Sequence, residues 1–105
     1  MESRIVIAMY KPHEGKDHAL LKLVKEHLPT LQKLELATKR KATLCKSEDG
    51  TLLEIFEWVD EESSSQAHQH PVVAKIWEQM GQICDFQTLD KLAERGKPFP
   101  NFIPA

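Results

Sequence analysis

Residues 42–58, Ala42-Thr43-Leu44-Cys45-Lys46-Ser47-Glu48-Asp49-Gly50-Thr51-Leu52-Leu53-Glu54-Ile55-Phe56-Glu57-Trp58, decide the fold. Two β-rich runs flank an Asp-Gly pair, and Gly accepts the positive φ that a tight hairpin turn demands. The stretch therefore predicts two antiparallel, neighbouring strands. Toward the N-terminus, Ile5-Val6-Ile7-Ala8-Met9-Tyr10 is almost unbroken in apolarity, as a central strand covered on both faces would be. Lys11-Pro12-His13-Glu14-Gly15 breaks that pattern and reads as a loop.

Between these strands, Leu20, Leu21, Leu23, Val24 and Leu28 recur at helical spacing, with Lys22, Lys25, Glu26 and His27 assigned to the solvent side. Pro29 is read as ending this helix ahead of a short turn that carries Leu31, Leu34 and Leu36. After the hairpin, Asp60 precedes Glu61-Glu62-Ser63, a capping residue followed by carboxylates that suit a helix N-terminus. The second helix is interrupted at Pro71 and resumes through Val72, Val73, Ile76, Trp77, Met80, Ile83 and Cys84. Phe86-Gln87-Thr88-Leu89 is read as a short closing strand, and Asp90 to Arg95 as a short helix.

The order β-α-β-β-α-β predicts an α+β domain of ferredoxin-like type, a four-stranded antiparallel sheet with both helices on one face. Alternation along the third strand is read as turning Leu53, Ile55 and Val59 toward the helices and Leu52, Phe56 and Trp58 to the bare face. Parity then puts Glu54 with Phe56 and Trp58, and Glu57 on the helix side. A bare face with Phe and Trp invites a second copy, so a symmetric homodimer is expected. The domain is drawn over residues 1–95 and an extended Pro-rich tail over 96–105. Pro98, Pro100 and Pro104 bar a helix or an inner strand there. Phe99, Phe102 and Ile103 lead us to expect it ordered against the surface and reaching a partner subunit.

With 105 residues, 41% hydrophobic and 29% charged, the chain has the size and composition of one globular domain. A net charge of −2 with Lys and Arg scattered among Asp and Glu speaks against nucleic-acid and anionic-membrane binding. No apolar run approaches the roughly 20 residues of a membrane-spanning helix. Met1-Glu2-Ser3-Arg4 lacks the features of a secretory signal, which makes a cytoplasmic location the expectation. Cys45 and Cys84 form no metal-type spacing and read as small buried apolar residues in a reducing compartment. The four glycines make no phosphate-binding loop.

Several local marks point to a family. They are Tyr10-Lys11-Pro12 to Gly15 after the first strand, Glu48-Asp49-Gly50 at the hairpin and Phe56-Glu57-Trp58 closing the third strand. Ala67-His68-Gln69-His70-Pro71 and Val73 to Trp77 in the second helical region complete them. In these the chain resembles the dimeric α/β-barrel proteins, within them the antibiotic-biosynthesis-monooxygenase-like group, over roughly Arg4 to Leu89. The resemblance implies sheets paired face to face, with a cavity between each sheet and its helices or at the barrel mouth. Activities across such proteins run from cofactor-free oxidation of polycyclic aromatics and haem breakdown to isomerisation and plain ligand binding. Several oxygen-using members carry an Asn on the first strand. The only Asn here is Asn101, so no catalytic set is carried over from them.

The expectation is a cofactor-independent enzyme of the monooxygenase or isomerase type acting on a small, largely apolar aromatic compound, with no cofactor and no metal. The alternative is a non-catalytic ligand-binding or interaction protein. Candidate catalytic residues are Tyr10, Glu57, His68 and His70; candidate ligand contacts are Trp77, Phe56, Trp58 and Glu54. Tyr10 and Trp77 offer an O–H and an N–H on apolar bodies. A buried Glu54 or Glu57 is a potential base or an ion-pair partner. His68 and His70 diverge by about 200° if both are helical, so they share no helix-borne metal unless the break at Pro71 brings them together. A third ligand is not apparent.

Overall fold

Two long strands, β1 (Arg4–Pro12) and β3 (Leu52–Trp58), lie side by side at the centre of the sheet and set its register: Val6 stands opposite Phe56, Ala8 opposite Glu54 and Tyr10 opposite Leu52. The computed structural model describes residues 2–105. β2 (Thr43–Lys46) pairs with the outer edge of β3, and β4 (Cys84–Phe86) pairs with β1. The hairpin between β2 and β3 turns as expected, with Gly50 at φ 92° and its N–H donating to the Ser47 carbonyl at 3.0 Å.

Helix α1 (Asp17–Lys33) follows β1, and α2 (Ser63–His68) and α3 (Pro71–Gly81) follow β3. All antiparallel, the sheet runs β4-β1-β3-β2 and then gains a fifth strand, β5 (Ile103–Pro104), one more than the four expected. The addition comes from the tail, which lies along β2 of its own chain with Lys46 opposite Ile103. The expected closing strand at 86–89 sits earlier, at Cys84–Phe86, and the helix expected over 90–95 is a single 3-10 turn, Leu89–Lys91.

Pro29 does not end α1, contrary to expectation. The ring is exposed, and the carbonyl it deprives of a donor belongs to exposed Lys25, where water can serve it. The helix stops four residues later. Glu35 takes φ 61°, Leu36 N–H donates to the Leu31 carbonyl at 2.9 Å and Glu35 N–H to the Gln32 carbonyl at 3.0 Å. Leu31 and Leu36 meet in the core behind this cap. α2 begins at Ser63, later than expected, with Glu62 at its N-cap; Asp60 instead closes the turn ahead of it, its Oδ1 accepting from the N–H groups of Glu62 and Ser63.

The faces of β3 are the reverse of the sequence assignment. Leu52, Glu54, Phe56 and Trp58 point to the helices, and Leu53, Ile55 and Glu57 point to the other side. Both parities are rich in apolar residues, so alternation alone does not say which is covered. What decides it is β1: Val6 and Ala8 are small and leave room under the helices for the rings of Phe56 and Trp58. The opposite face carries Ile5, Ile7, Met9, Leu53 and Ile55. Met9, Cys45 and Leu53 are covered there by Leu92 and Phe102 from the C-terminal segment, whereas Ile5 and Ile7 remain exposed.

A buried carboxylate clasps that segment to the hairpin. Glu94 accepts from Ser47 Oγ at 2.6 Å and from the Glu48 N–H at 2.9 Å. The Ser47 hydrogen bond holds its carboxyl below the usual carboxylate range. Replacing Glu94 with Ala should free residues 92–102, so that trypsin cuts after Arg95 at least several times faster than in the wild type. Equal cleavage rates would show that the clasp does not hold the segment.

Candidate functional site

The small side chains that β1 places under the helices leave a cavity of ≈ 400 Å³ between sheet and helices. β1 contributes Val6, Ala8 and Tyr10, β3 contributes Phe56 and Trp58, α1 contributes His27, and His68, Trp77 and Phe86 complete the wall. The aromatic rings meet edge to face: Phe56 and Trp58 at 5.0 Å between centroids, His68 and Trp77 at 4.6 Å.

Behind this wall runs a chain of buried hydrogen bonds. Tyr10 donates its O–H to Glu54 Oε1 at 2.7 Å. His27 Nδ1 lies 3.0 and 3.1 Å from the two Glu54 oxygens. Trp77 Nε1 donates to His27 Nε2 at 2.8 Å. An indole N–H can only donate, so Nε2 is the acceptor and the imidazole proton sits on Nδ1, facing Glu54. Glu54 then receives two donors and serves as a carboxylate, with a relative exposure of 0%. Burial is the largest cause that raises the Tyr10 phenol far above its ordinary value, and the Glu54 charge and hydrogen bond add to it.

Of the residues singled out from sequence, Tyr10, Phe56, Trp58, His68 and Trp77 line the cavity, and Glu54 lies directly behind it. Glu57 does not join them. It is on the opposite face of the sheet, where Thr38 Oγ1 and Ser3 Oγ donate to it at 2.7 and 3.0 Å and Arg40 approaches at 3.4 Å. The Thr38 hydrogen bond is the largest cause that lowers its pKa. His70 is also not part of the wall; it precedes Pro71 at the start of α3, and its Nδ1 is buried without a hydrogen-bond partner. Among the described residues, no three metal-ligating side chains come together.

His27 was assigned to the solvent side of α1 and is instead 2% exposed. The signal was present. Leu20, Val24, His27 and Leu31 are spaced four, three and four apart, which puts His27 inside the apolar stripe.

No family model matches the chain, and no curated protein matches it by sequence. Solved structures do. Rv0793 from Mycobacterium tuberculosis superposes with a TM-score of 0.64 at 19% identity, over 79% of this chain and 84% of that one. At this identity the likeness is one of fold, an antiparallel sheet with its helices on one face. Tetracenomycin F2 cyclase from Streptomyces glaucescens, a type-II polyketide cyclase, is similar with a TM-score of 0.60 at 20% identity, over 83% of this chain and 82% of that one. Among the described residues, no helix is long and apolar enough to cross a membrane.

Tyr10 is the only tyrosine in the chain, so its titration can be followed alone. A raised folded pKa means stability that is fully present below the unfolded value of 10.0 and is lost as pH climbs above it. Phenolate absorbance near ~295 nm should therefore appear only together with alkaline unfolding. In Glu54→Gln, which removes the neighbouring charge, unfolding and phenolate absorbance should separate, the latter coming at lower pH than in the wild type. A wild-type phenol that titrates near pH 10 in the folded state would refute the buried Tyr10–Glu54 bond.

Proposed function

We propose that the cavity between sheet and helices takes a small, largely apolar aromatic molecule, and that the chain is a cofactor-independent enzyme of the isomerase or monooxygenase type. The observation that carries this reading is the carboxylate-held imidazole of His27 in the wall of an aromatic-lined cavity of ≈ 400 Å³. That volume is within the range of small-molecule sites. Both reaction types begin by taking a proton from the substrate. The carbanion or enolate is then reprotonated elsewhere, as in an isomerase, or meets dioxygen, as in a monooxygenase. Two imidazoles border the cavity, His27 backed by Glu54 and the more exposed His68. The fold's occurrence in a polyketide cyclase agrees with aromatic chemistry.

A specific observation favours the ligand-binding alternative. Tyr10, Glu54, His27 and Trp77 satisfy one another, which leaves no free polar group among them. One experiment separates the two. Trp58 and Trp77 both line the cavity, so 1,3-dihydroxynaphthalene should quench tryptophan fluorescence saturably. An enzyme should also speed the exchange of its ring hydrogens with deuterated solvent, a measure of keto–enol tautomerism, and His27→Gln should reduce that rate ~100-fold or more. Quenching without exchange above buffer would leave the binding module. No saturable quenching by any aromatic probe would remove the reading altogether.

The same reading includes a homodimer formed through the open face of the sheet. Its support is aliphatic and lies on the face opposite to that first assigned: Ile5 and Ile7 are 57% and 43% exposed beside Ile55. Light scattering of the wild type should give the dimer mass at micromolar concentration, and Ile7→Lys should give monomer. A wild-type monomer would end this part of the proposal.

A further inference from the structure

Trp77 holds the one place on the Tyr10–Glu54–His27–Trp77 chain that a ligand can take over. Tyr10, His27 and Glu54 are 4%, 2% and 0% exposed, packed between sheet and helices. Trp77, in contrast, is half-buried, and its indole N–H has a single partner, His27 Nε2 at 2.8 Å. His27 and Trp77 belong to the wall of the same cavity, so the acceptor and the N–H that covers it both border the space a ligand would fill.

The chemistry of the two ends differs. Glu54 fixes the proton on Nδ1 and leaves the Nε2 lone pair as an oriented acceptor, the arrangement in which a carboxylate-held imidazole accepts a proton. In the free protein, this acceptor is occupied by an indole N–H, which does not release its proton. The base is thus assembled and stoppered at once.

Resting on the reading of this cavity as a small-molecule site, we propose that its ligands are hydroxylated aromatics, phenols or enols, whose O–H displaces the Trp77 N–H from His27 Nε2. The exchange replaces one donor with another, so the buried acceptor is never left unpaired. The released indole N–H belongs to a half-buried side chain and can reach water. A ligand that has no donor cannot make this exchange without leaving Nε2 unpaired, and that penalty corresponds to about tenfold or more in affinity. Such a ligand binds only with Trp77 still in place. Trp77 is therefore a specificity-determining residue.

The test compares 2-naphthol with 2-methoxynaphthalene, which has nearly the same shape and no donor. Two indole N–H signals are expected in the ¹H–¹⁵N spectrum, and Trp58→Phe identifies the one from Trp77. Solvent exchange of the Trp77 N–H should accelerate about tenfold or more when 2-naphthol is bound and remain slow with the ether. Equal exchange rates in the two complexes would overturn the proposal. Trp77→Phe removes the stopper, so the ratio of naphthol to ether affinity, measured by calorimetry, should rise about fivefold or more over the wild type. An unchanged ratio would also overturn it. If neither compound binds, the small-molecule reading itself fails and takes this proposal with it, an outcome distinct from binding without discrimination.

Discussion

The carboxylate of Glu54 is a charge without contact with water, and the rest of the helix-facing layer is arranged to make that tolerable. Removing such an ion from water costs several kcal/mol, which is bearable only where donors replace the lost hydration. They come from different elements: Tyr10 from β1 and His27 from α1, with Trp77 from α3 orienting the imidazole. An apolar layer alone would let helices slide over the sheet with little change in energy. Directional bonds to one buried carboxylate fix where α1 and α3 stand.

Apolar clusters fill the space on either side. Leu28, Leu31, Phe56 and Val73 pack toward one end, and Leu20, Val24, Leu52 and Met80 toward the other. Where the two meet, Ala8 is too small to fill the gap, and the cavity forms over it. Polar chain and cavity are thus consequences of the same design: charge held behind an aromatic wall, with one imidazole reaching through it.

Much of this architecture was legible in the chain. Asp49-Gly50 located the hairpin because a turn of that type has few alternatives, and the unbroken apolarity of residues 5–10 located the central strand. Pro29 misled because a proline on the wet side of a helix loses little, and the sequence does not state which side is wet. The face of β3 was misread for a related reason: parity sorts residues into two sets, but the covered set is chosen by the small residues opposite, Val6 and Ala8. Tyr10, His68 and Trp77 were singled out as polar-tipped aromatics and a histidine near element ends, and all three border the cavity. His27 was missed because histidine was weighed as a polar residue before its position in the Leu20–Val24–Leu31 stripe was counted. Its partner Glu54 sits 27 residues away, and only tertiary structure joins the two.

The fifth strand has a consequence for how the molecule meets its own copies in a crowded solution. A bare edge of β2 would offer unpaired N–H and C=O groups as a template for another chain. Ile103–Pro104 occupies that edge, with the Ala105 N–H donating to the Leu44 carbonyl at 2.9 Å, and Pro104 presents no N–H of its own. The other margin is made by β4, three residues long, together with the part of β1 ahead of Tyr10 that β4 does not pair with. On the β2 side, the tail thus takes the place that a strand of another molecule would otherwise occupy.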